Sequence, residues 1–305
     1  MYDEFSADYD RFVNWPARLA VEMPFIEAQL QSAGARRVLD VACGTGMHAI
    51  ELAKRGYESM GADVSAAMIE RARANAHAAG VATPFVIAGF GALLEKAGGQ
   101  FDALLCLGNS LPHLLTPADL HTALQGFAAC LHPGGLLLMQ NRNFDAVLAR
   151  QERWMAPQSH REGDVEWLFL RFYDFQPQRI EDRSGRTARS DTEAVDPSLR
   201  SGPAWRSTGE HLGSTESDAR LTFNLVTLRR QGAGDWEQRV TATPLWPLRQ
   251  EELTIALANA GFTAIASYGD MSGAPFDLAN SRNLVITART VEVYHFAPAG
   301  LPSLP

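Results

Sequence analysis

The chain has 305 residues, enough for one large domain or for one domain with a smaller insert. Apolar residues make up 46% and charged residues 20%, which excludes a disordered or collagen-like chain. Lys+Arg number 27 against 35 Asp+Glu, a net charge of −8, which disfavours nucleic acid or an anionic membrane as partner. The acidic start, Met1-Tyr2-Asp3-Glu4, and the lack of any long apolar run argue against a secretory signal or a membrane span. Cys43, Cys106 and Cys130 are widely spaced in apolar surroundings. They suit a reduced, cytoplasmic setting, and make neither a zinc knuckle nor a disulfide framework.

Residues 1–35 read as helical, with apolar positions Phe12, Trp15, Leu19, Met23, Phe25 and Ile26, broken by Pro16 and Pro24. Arg37–Val41 reads as a buried strand running into the turn Ala42-Cys43-Gly44-Thr45-Gly46. A helix follows from Met47 to Arg55, stopped by Gly56. A strand over Glu58–Ala62 closes on Asp63, and Ser65 N-caps a helix from Ala66 to Ala79 that Gly80 ends. Pro84–Ala88 and Phe101–Leu107 read as strands three and four, Leu120–Leu131 as a helix, and Leu136–Gln140 as strand five after Pro133-Gly134-Gly135. This alternation predicts an α/β fold: a doubly wound, Rossmann-like, mostly parallel sheet with helices on both faces.

Beyond strand five the pattern changes. Residues 165–175, 221–230 and 236–246 alternate like antiparallel strands, and 176–220 is a polar segment that composition does not assign. The α/β pattern returns with a helix over Leu248–Ala260, stopped by Gly261, then strands at Phe262–Tyr268 and Leu284–Ala288. The expected organisation is therefore an N-terminal helical lid (1–35), an α/β domain (36–140 and 247–290), and a mainly β insert (141–246) acting as a second lid.

Gly44-Thr45-Gly46 sits between a strand and a helix, where backbone can approach a ligand closely and free N–H groups point outward. Asp63, at the end of strand two, is placed to take both hydroxyls of a ribose. Gly44-x-Gly46-x-x-Ala49 fits a nicotinamide dinucleotide as well as S-adenosylmethionine. Asp40 favours the second: a carboxylate there repels a diphosphate but attracts an ammonium and a sulfonium. No His, Asp or Glu cluster has metal-ligand spacing, so no metal is expected.

At these residues the sequence resembles the class I S-adenosylmethionine-dependent methyltransferases. The matching stretches are Val38–Gly46, Asp63-Val64-Ser65-Ala66-Ala67-Met68 and His132-Pro133-Gly134-Gly135-Leu136-Leu137. Cys106-Leu107-Gly108-Asn109-Ser110, with His113-Leu114, and Arg142-Asn143-Phe144-Asp145 are similar to a narrower group, the glycine and sarcosine N-methyltransferases. The resemblance implies a seven-stranded sheet, S-adenosylmethionine as cofactor and S-adenosylhomocysteine as product. Ala42, Gly44 and Gly46 would line the methionine part, Asp63 would hold the ribose, and Val64 and Met68 would flank the adenine. Leu107 and His113 would lie at the methionine end. Trp15 and Arg18 belong to a segment that folds over the cofactor in related enzymes, where an Arg binds the methionine carboxylate. Asn109 and Arg142 match residues that hold the substrate carboxylate.

Three departures stand out. Gly89 replaces the polar residue expected after strand three, leaving stacking on Phe90 to serve the adenine. Phe144 stands for a Tyr, and Ala242-Thr243-Pro244 for Tyr-Tyr-Pro. No general base is assigned, because methyl transfer needs alignment and dryness more than acid–base chemistry. The expected activity is methyl transfer to a small molecule, such as the amine of glycine or sarcosine. The alternatives are O-methylation, a nicotinamide oxidoreductase and a cofactor-binding protein without turnover. A homo-oligomer is a further expectation.

Overall fold

A computed structural model describes residues 8–175 and 220–292. Most of the polar segment at 176–220, and the first seven residues of the expected lid, lie outside the described residues.

Helix α1 (Trp15–Ser32) starts on Asn14, whose side chain accepts the Ala17 N–H, with Pro16 in the first turn. Proline is tolerated there because that N–H has no helical partner. Contrary to the expected break, α1 continues through Pro24. The lost backbone bond is outweighed by burial of Met23, Phe25, Ile26 and Leu30 in one apolar cluster against the sheet.

Strands β1 (Arg37–Asp40), β2 (Glu58–Asp63), β3 (Phe85–Ile87), β4 (Phe101–Cys106), β5 (Leu131–Arg142), β10 (Phe262–Tyr268) and β11 (Asn283–Thr290) form one sheet ordered β10-β11-β5-β4-β1-β2-β3. Only β11 runs against its neighbours in this sheet. Crossover helices α2 (Met47–Lys54), α3 (Ala66–Ala79), α4 (Leu93–Ala97), α5 (Pro117–Ala129) and α7 (Gln250–Asn259) cover it. Central strands are buried on both faces: Leu39, Leu104 and Leu137 pack in one cluster, and Val38, Leu105 and Leu138 in another. The doubly wound fold expected from the sequence is thus the observed one.

Differences are local. Helix α5 begins at Pro117 rather than Leu120, with Thr116 accepting the Asp119 N–H. Strand β5 is longer at both ends than the expected 136–140, carrying Gly134 at φ 75°. Helix α6 (Phe144–Arg150) and strand β6 (Gln158–Glu162) were not foreseen. The second sheet, β6-β7-β8-β9, is antiparallel, with β7 (Val165–Phe175), β8 (Leu221–Gln231) and β9 (Glu237–Leu245) as expected. One face of β7 carries Trp167, Phe169, Arg171 and Tyr173 by two-residue alternation. Phe12 meets Phe169 edge-on at 5.4 Å, which joins this sheet to the N-terminal segment.

Among the described residues, no helix is long and apolar enough to cross a membrane.

Candidate functional site

The carboxyl ends of β1, β2 and β4 open into a cavity of about 460 Å³, the place a doubly wound sheet offers a ligand. Ala42, Gly44, Asp63, Val64, Met68, Phe90, Leu107 and His113 of the expected residues line it. Tyr9, from the N-terminal segment expected to fold over the cofactor, also lines it, as does Asp119, which the sequence did not single out.

The turn after β1 owes its shape to two glycines with positive φ. Gly44, at φ 52°, is overlain by the Tyr9 ring, 3.8 Å from where a Cβ would sit. Gly46, at φ 82°, does something else: a Cβ there would lie 2.7 Å from the Phe85 ring and 2.9 Å from Ala72. It permits helix-to-strand packing and is not among the residues lining the cavity. Asp63 ends β2 with one carboxylate oxygen accepting Gly44 N–H at 2.9 Å and the other accepting Ser65 N–H at 2.9 Å. These bonds fix the carboxylate at the cavity edge.

Beneath the floor lies a charged network. Asp40 is 1% exposed, and its Oδ1 is buried without a hydrogen-bond partner. Burial, with help from Asp63 and against the pull of His48, raises its pKa to about 6. Glu22, on α1, accepts from Arg18 Nε at 3.0 Å and from Gln140 at 3.1 Å, and meets His48 Nε2 at 2.7 Å. Burial alone would raise Glu22; the bonds from His48, Arg18 and Gln140 outweigh it and hold the carboxyl at about 2. Arg18 also reaches Gln140 Oε1 at 3.3 Å and lies over the Trp15 ring. Arg18, Trp15 and Asp40 are thus not wall residues; they form the layer beside and below the cavity. Trp15 is a buried brace: its Nε1 donates to Asp10 at 3.0 Å and its ring meets His48 edge-on.

Asp10 ties the N-terminal segment down. Its carboxylate accepts from Thr45 Oγ1 at 2.6 Å, Arg71 Nε at 2.8 Å and Asn75 Nδ2 at 3.2 Å, besides Trp15. Burial works against ionisation, but these donors win and keep its pKa low. Tyr9 is thereby held over Gly44, its phenol pKa pushed up by burial.

At the β3 end of the cavity, Phe90 packs edge-on against Phe127 at 5.2 Å. Gly89 and Asp119 of α5 line the same cavity. His113 is kept neutral, its pKa lowered by burial to about 4.

At the other end, Asn109 adopts φ 67°, and its Oδ1 accepts the Arg142 N–H at 2.9 Å. That side chain clamps the end of β4 to the end of β5. Asn109 and Arg142 are together, but neither lines the cavity; they stand at its β5 end. The Arg142 guanidinium meets Glu152 at 3.4 Å, while Asp145 instead accepts Gln250 N–H at 3.0 Å. Arg142 Nε is buried with no partner. Phe144 is fully buried against Tyr173, and Ala242 and Pro244 lie exposed on β9.

Residues 38–135 match the family model described as a methyltransferase domain. A glycine/sarcosine N-methyltransferase of Parasynechococcus marenigrum is 38% identical over 146 residues, 48% of this chain and 52% of that protein. One from Halorhodospira halochloris is 35% identical over 146 residues, 48% and 54% of the two chains. The chain spans about half the length of these curated relatives. In fold the likeness extends much further. A S-adenosylmethionine-dependent methyltransferase from Clostridium acetobutylicum superposes with a TM-score of 0.66 at 12% identity, over 95% of this chain and 99% of its own. A sugar N-methyltransferase from Streptoalloteichus gives 0.62 at 20% identity, over 96% and 93%.

Proposed function

We propose that this protein transfers a methyl group from S-adenosylmethionine to the amine of a small carboxylate-bearing molecule. The observation that carries the proposal is the buried, unpartnered Asp40 Oδ1 under a cavity rimmed by Gly44 and Asp63. A lone buried acceptor is costly unless a cationic ligand completes it. The residues present fit the cofactor. Asp63 would hold the ribose, Val64, Met68 and Phe90 the adenine, and Gly44 the methionine chain, with Arg18 beside its carboxylate. When bound, the cofactor supplies an electrophilic methyl carbon on a sulfonium.

What the protein adds is position and dryness. The Tyr9 segment, fastened through Asp10, and the β sheet carrying Trp167 and Phe169 would serve as lids that exclude water. Arg142, with its peptide N–H fixed by Asn109, would hold the acceptor's carboxylate and aim its nitrogen into the cavity. The nitrogen lone pair forms the N–CH3 bond and the S–CH3 pair stays on sulfur. The leaving group is a neutral thioether, so no acid is required, and the new ammonium gives its proton to water. The glycine and sarcosine N-methyltransferase relatives support an amine acceptor. Oxidoreductase chemistry finds no support at the site, because Asp40 would repel a diphosphate.

The test is methyl transfer from isotopically labelled S-adenosylmethionine to a panel of amino acids, amines, alcohols and carboxylates. Label in N-methyl products confirms the reading. Transfer to oxygen alone, or to nothing while S-adenosylhomocysteine still binds, overturns it.

A further inference from the structure

The face of β7 that packs inward is apolar at Trp167 and Phe169, then carries Arg171 and, two residues on, the buried Tyr173. An arginine on such a face is an anomaly, because a buried guanidinium wants charged or hydrogen-bonding partners. The Arg171 guanidinium lies over the Phe12 ring, its Cζ 4.7 Å from the ring centre, and its Nε is sealed from solvent with no hydrogen-bond partner. Arg142 hydrogen-bonds the Tyr173 side chain, and its Nε is sealed and unpartnered in the same way. Arg282 directly precedes β11, whose first residue Asn283 pairs with Arg142. Its own carbonyl accepts Asn143 N–H at 3.3 Å, which fixes it beside the Arg142 strand end. Charge from both Arg142 and Arg282 reaches Arg171, adding to burial in lowering its pKa.

The β5–β11 pairing thus holds Arg142 and Arg282 side by side, and Tyr173, two residues after Arg171, packs on Phe144, two residues after Arg142, which sets the three arginines in one neighbourhood. Among the described residues one carboxylate, the half-exposed Glu152, comes within salt-bridge distance of any of them. Arg171 and Arg282 have no carboxylate partner among the described residues, and the Nε donors of Arg142 and Arg171 stay without an acceptor. The path to the cavity is short: Phe12, under Arg171, packs against Tyr9 at 6.2 Å, and Tyr9 lines the cavity.

We infer that Arg142, Arg171 and Arg282 form one anion pocket that selects an amino dicarboxylate as methyl acceptor. This rests on the methyl-transfer reading above and narrows it. Arg142 takes the carboxylate next to the amine, and Arg171 with Arg282 takes the second carboxylate. Each guanidinium offers a planar fork that suits a carboxylate. A glycine-like acceptor would leave Arg171 uncompensated. In the transfer, the amine lone pair bonds to the methyl carbon, the C–S pair stays on sulfur, and the product ammonium releases a proton. The arginines stay protonated throughout.

The experiment is calorimetric titration of the full chain, loaded with S-adenosylhomocysteine, with aspartate, glutamate, glycine and sarcosine. At least one dicarboxylate should bind tenfold or more tighter than glycine and sarcosine. Arg171→Gln and Arg282→Gln should each erase that margin while leaving S-adenosylhomocysteine affinity and glycine affinity within twofold. Arg282 is exposed, so its variant keeps the test alive even where Arg171→Gln fails to fold. Equal binding of all four acceptors, or a margin that both variants keep, overturns the inference and leaves methyl transfer standing. Failure to bind S-adenosylhomocysteine at all overturns both.

Discussion

The two ends of the cavity are built on opposite terms. At the N-terminal end, charges are matched within the protein. Glu22 collects three partners and Asp10 four, from residues as far as 118 positions away in sequence. At the β5 end, Arg142 and Arg171 keep sealed Nε donors with nothing to receive them. A satisfied network is rigid and costs a great deal to break, whereas an unsatisfied one is completed by what binds. The first end is a scaffold; the second is where the proposed acceptor site would draw its specificity. Asp40 lies between, a buried acceptor inside the scaffold that stays incomplete.

Breaking the satisfied end should produce the largest effect. Glu22→Ala leaves Arg18 and His48 without their buried carboxylate, a loss of about 3–5 kcal/mol. Thermal denaturation should show Tm lowered by roughly 10 °C. Because Glu22 is held at about 2, below its ordinary value, its stabilisation is complete above about pH 4.3. It fades as pH falls towards 2, so wild type and variant should converge in acid. An unchanged Tm would mean the network carries no stability.

Asp63→Ala comes next. The fold should persist, but S-adenosylhomocysteine affinity should fall roughly 100-fold through loss of the ribose contact and of the restraint on Gly44, about 2.7 kcal/mol. Wild-type affinity would remove the ribose assignment. Arg142→Ala sharpens the contrast between the ends: acceptor affinity should drop about 10- to 100-fold with cofactor affinity unchanged. An unaltered acceptor KM would sink that role.

The smallest effect concerns Asp40. Its folded pKa of about 6 lies above the unfolded value, so the native state holds the extra proton between roughly pH 4 and 6, and stability falls as pH rises through that window. The attraction for a sulfonium needs the ionised form. Affinity for S-adenosylmethionine should therefore climb about tenfold from pH 5 to pH 7, and affinity for S-adenosylhomocysteine, which lacks the sulfonium, should climb less. Asp40→Asn should flatten the difference. Parallel pH profiles in wild type would contradict the electrostatic role.

Legibility in the sequence follows the range of the interactions. Gly44 and Asp63 are 19 residues apart, joined by one hydrogen bond, and announced by strand, turn and helix in order. The parallel sheet was legible for the same reason: long apolar runs alternate with capped helices. Gly46 shows the limit, since a motif glycine looks identical whether it faces a ligand or the Phe85 ring. Pro24 shows another, because tertiary burial of α1 overrides a helix breaker. Glu22, His48, Asp10 and Arg171 carried no local signal. Their meaning comes from partners on other elements, and a charged residue in an apolar stretch reads as an ordinary solvated face. Strand β6, a short and largely exposed edge, lacks the alternation that marks β7 and β8.

The central claim is that the cavity at the carboxyl ends of β1, β2 and β4 takes an adenosyl sulfonium cofactor. Calorimetric titration of the full chain with S-adenosylmethionine, S-adenosylhomocysteine and NAD in parallel tests it most directly. Micromolar binding of the first two, with none of NAD, is the predicted result. Binding of NAD alone would contradict the account and leave the buried Asp40 beside a diphosphate it should repel.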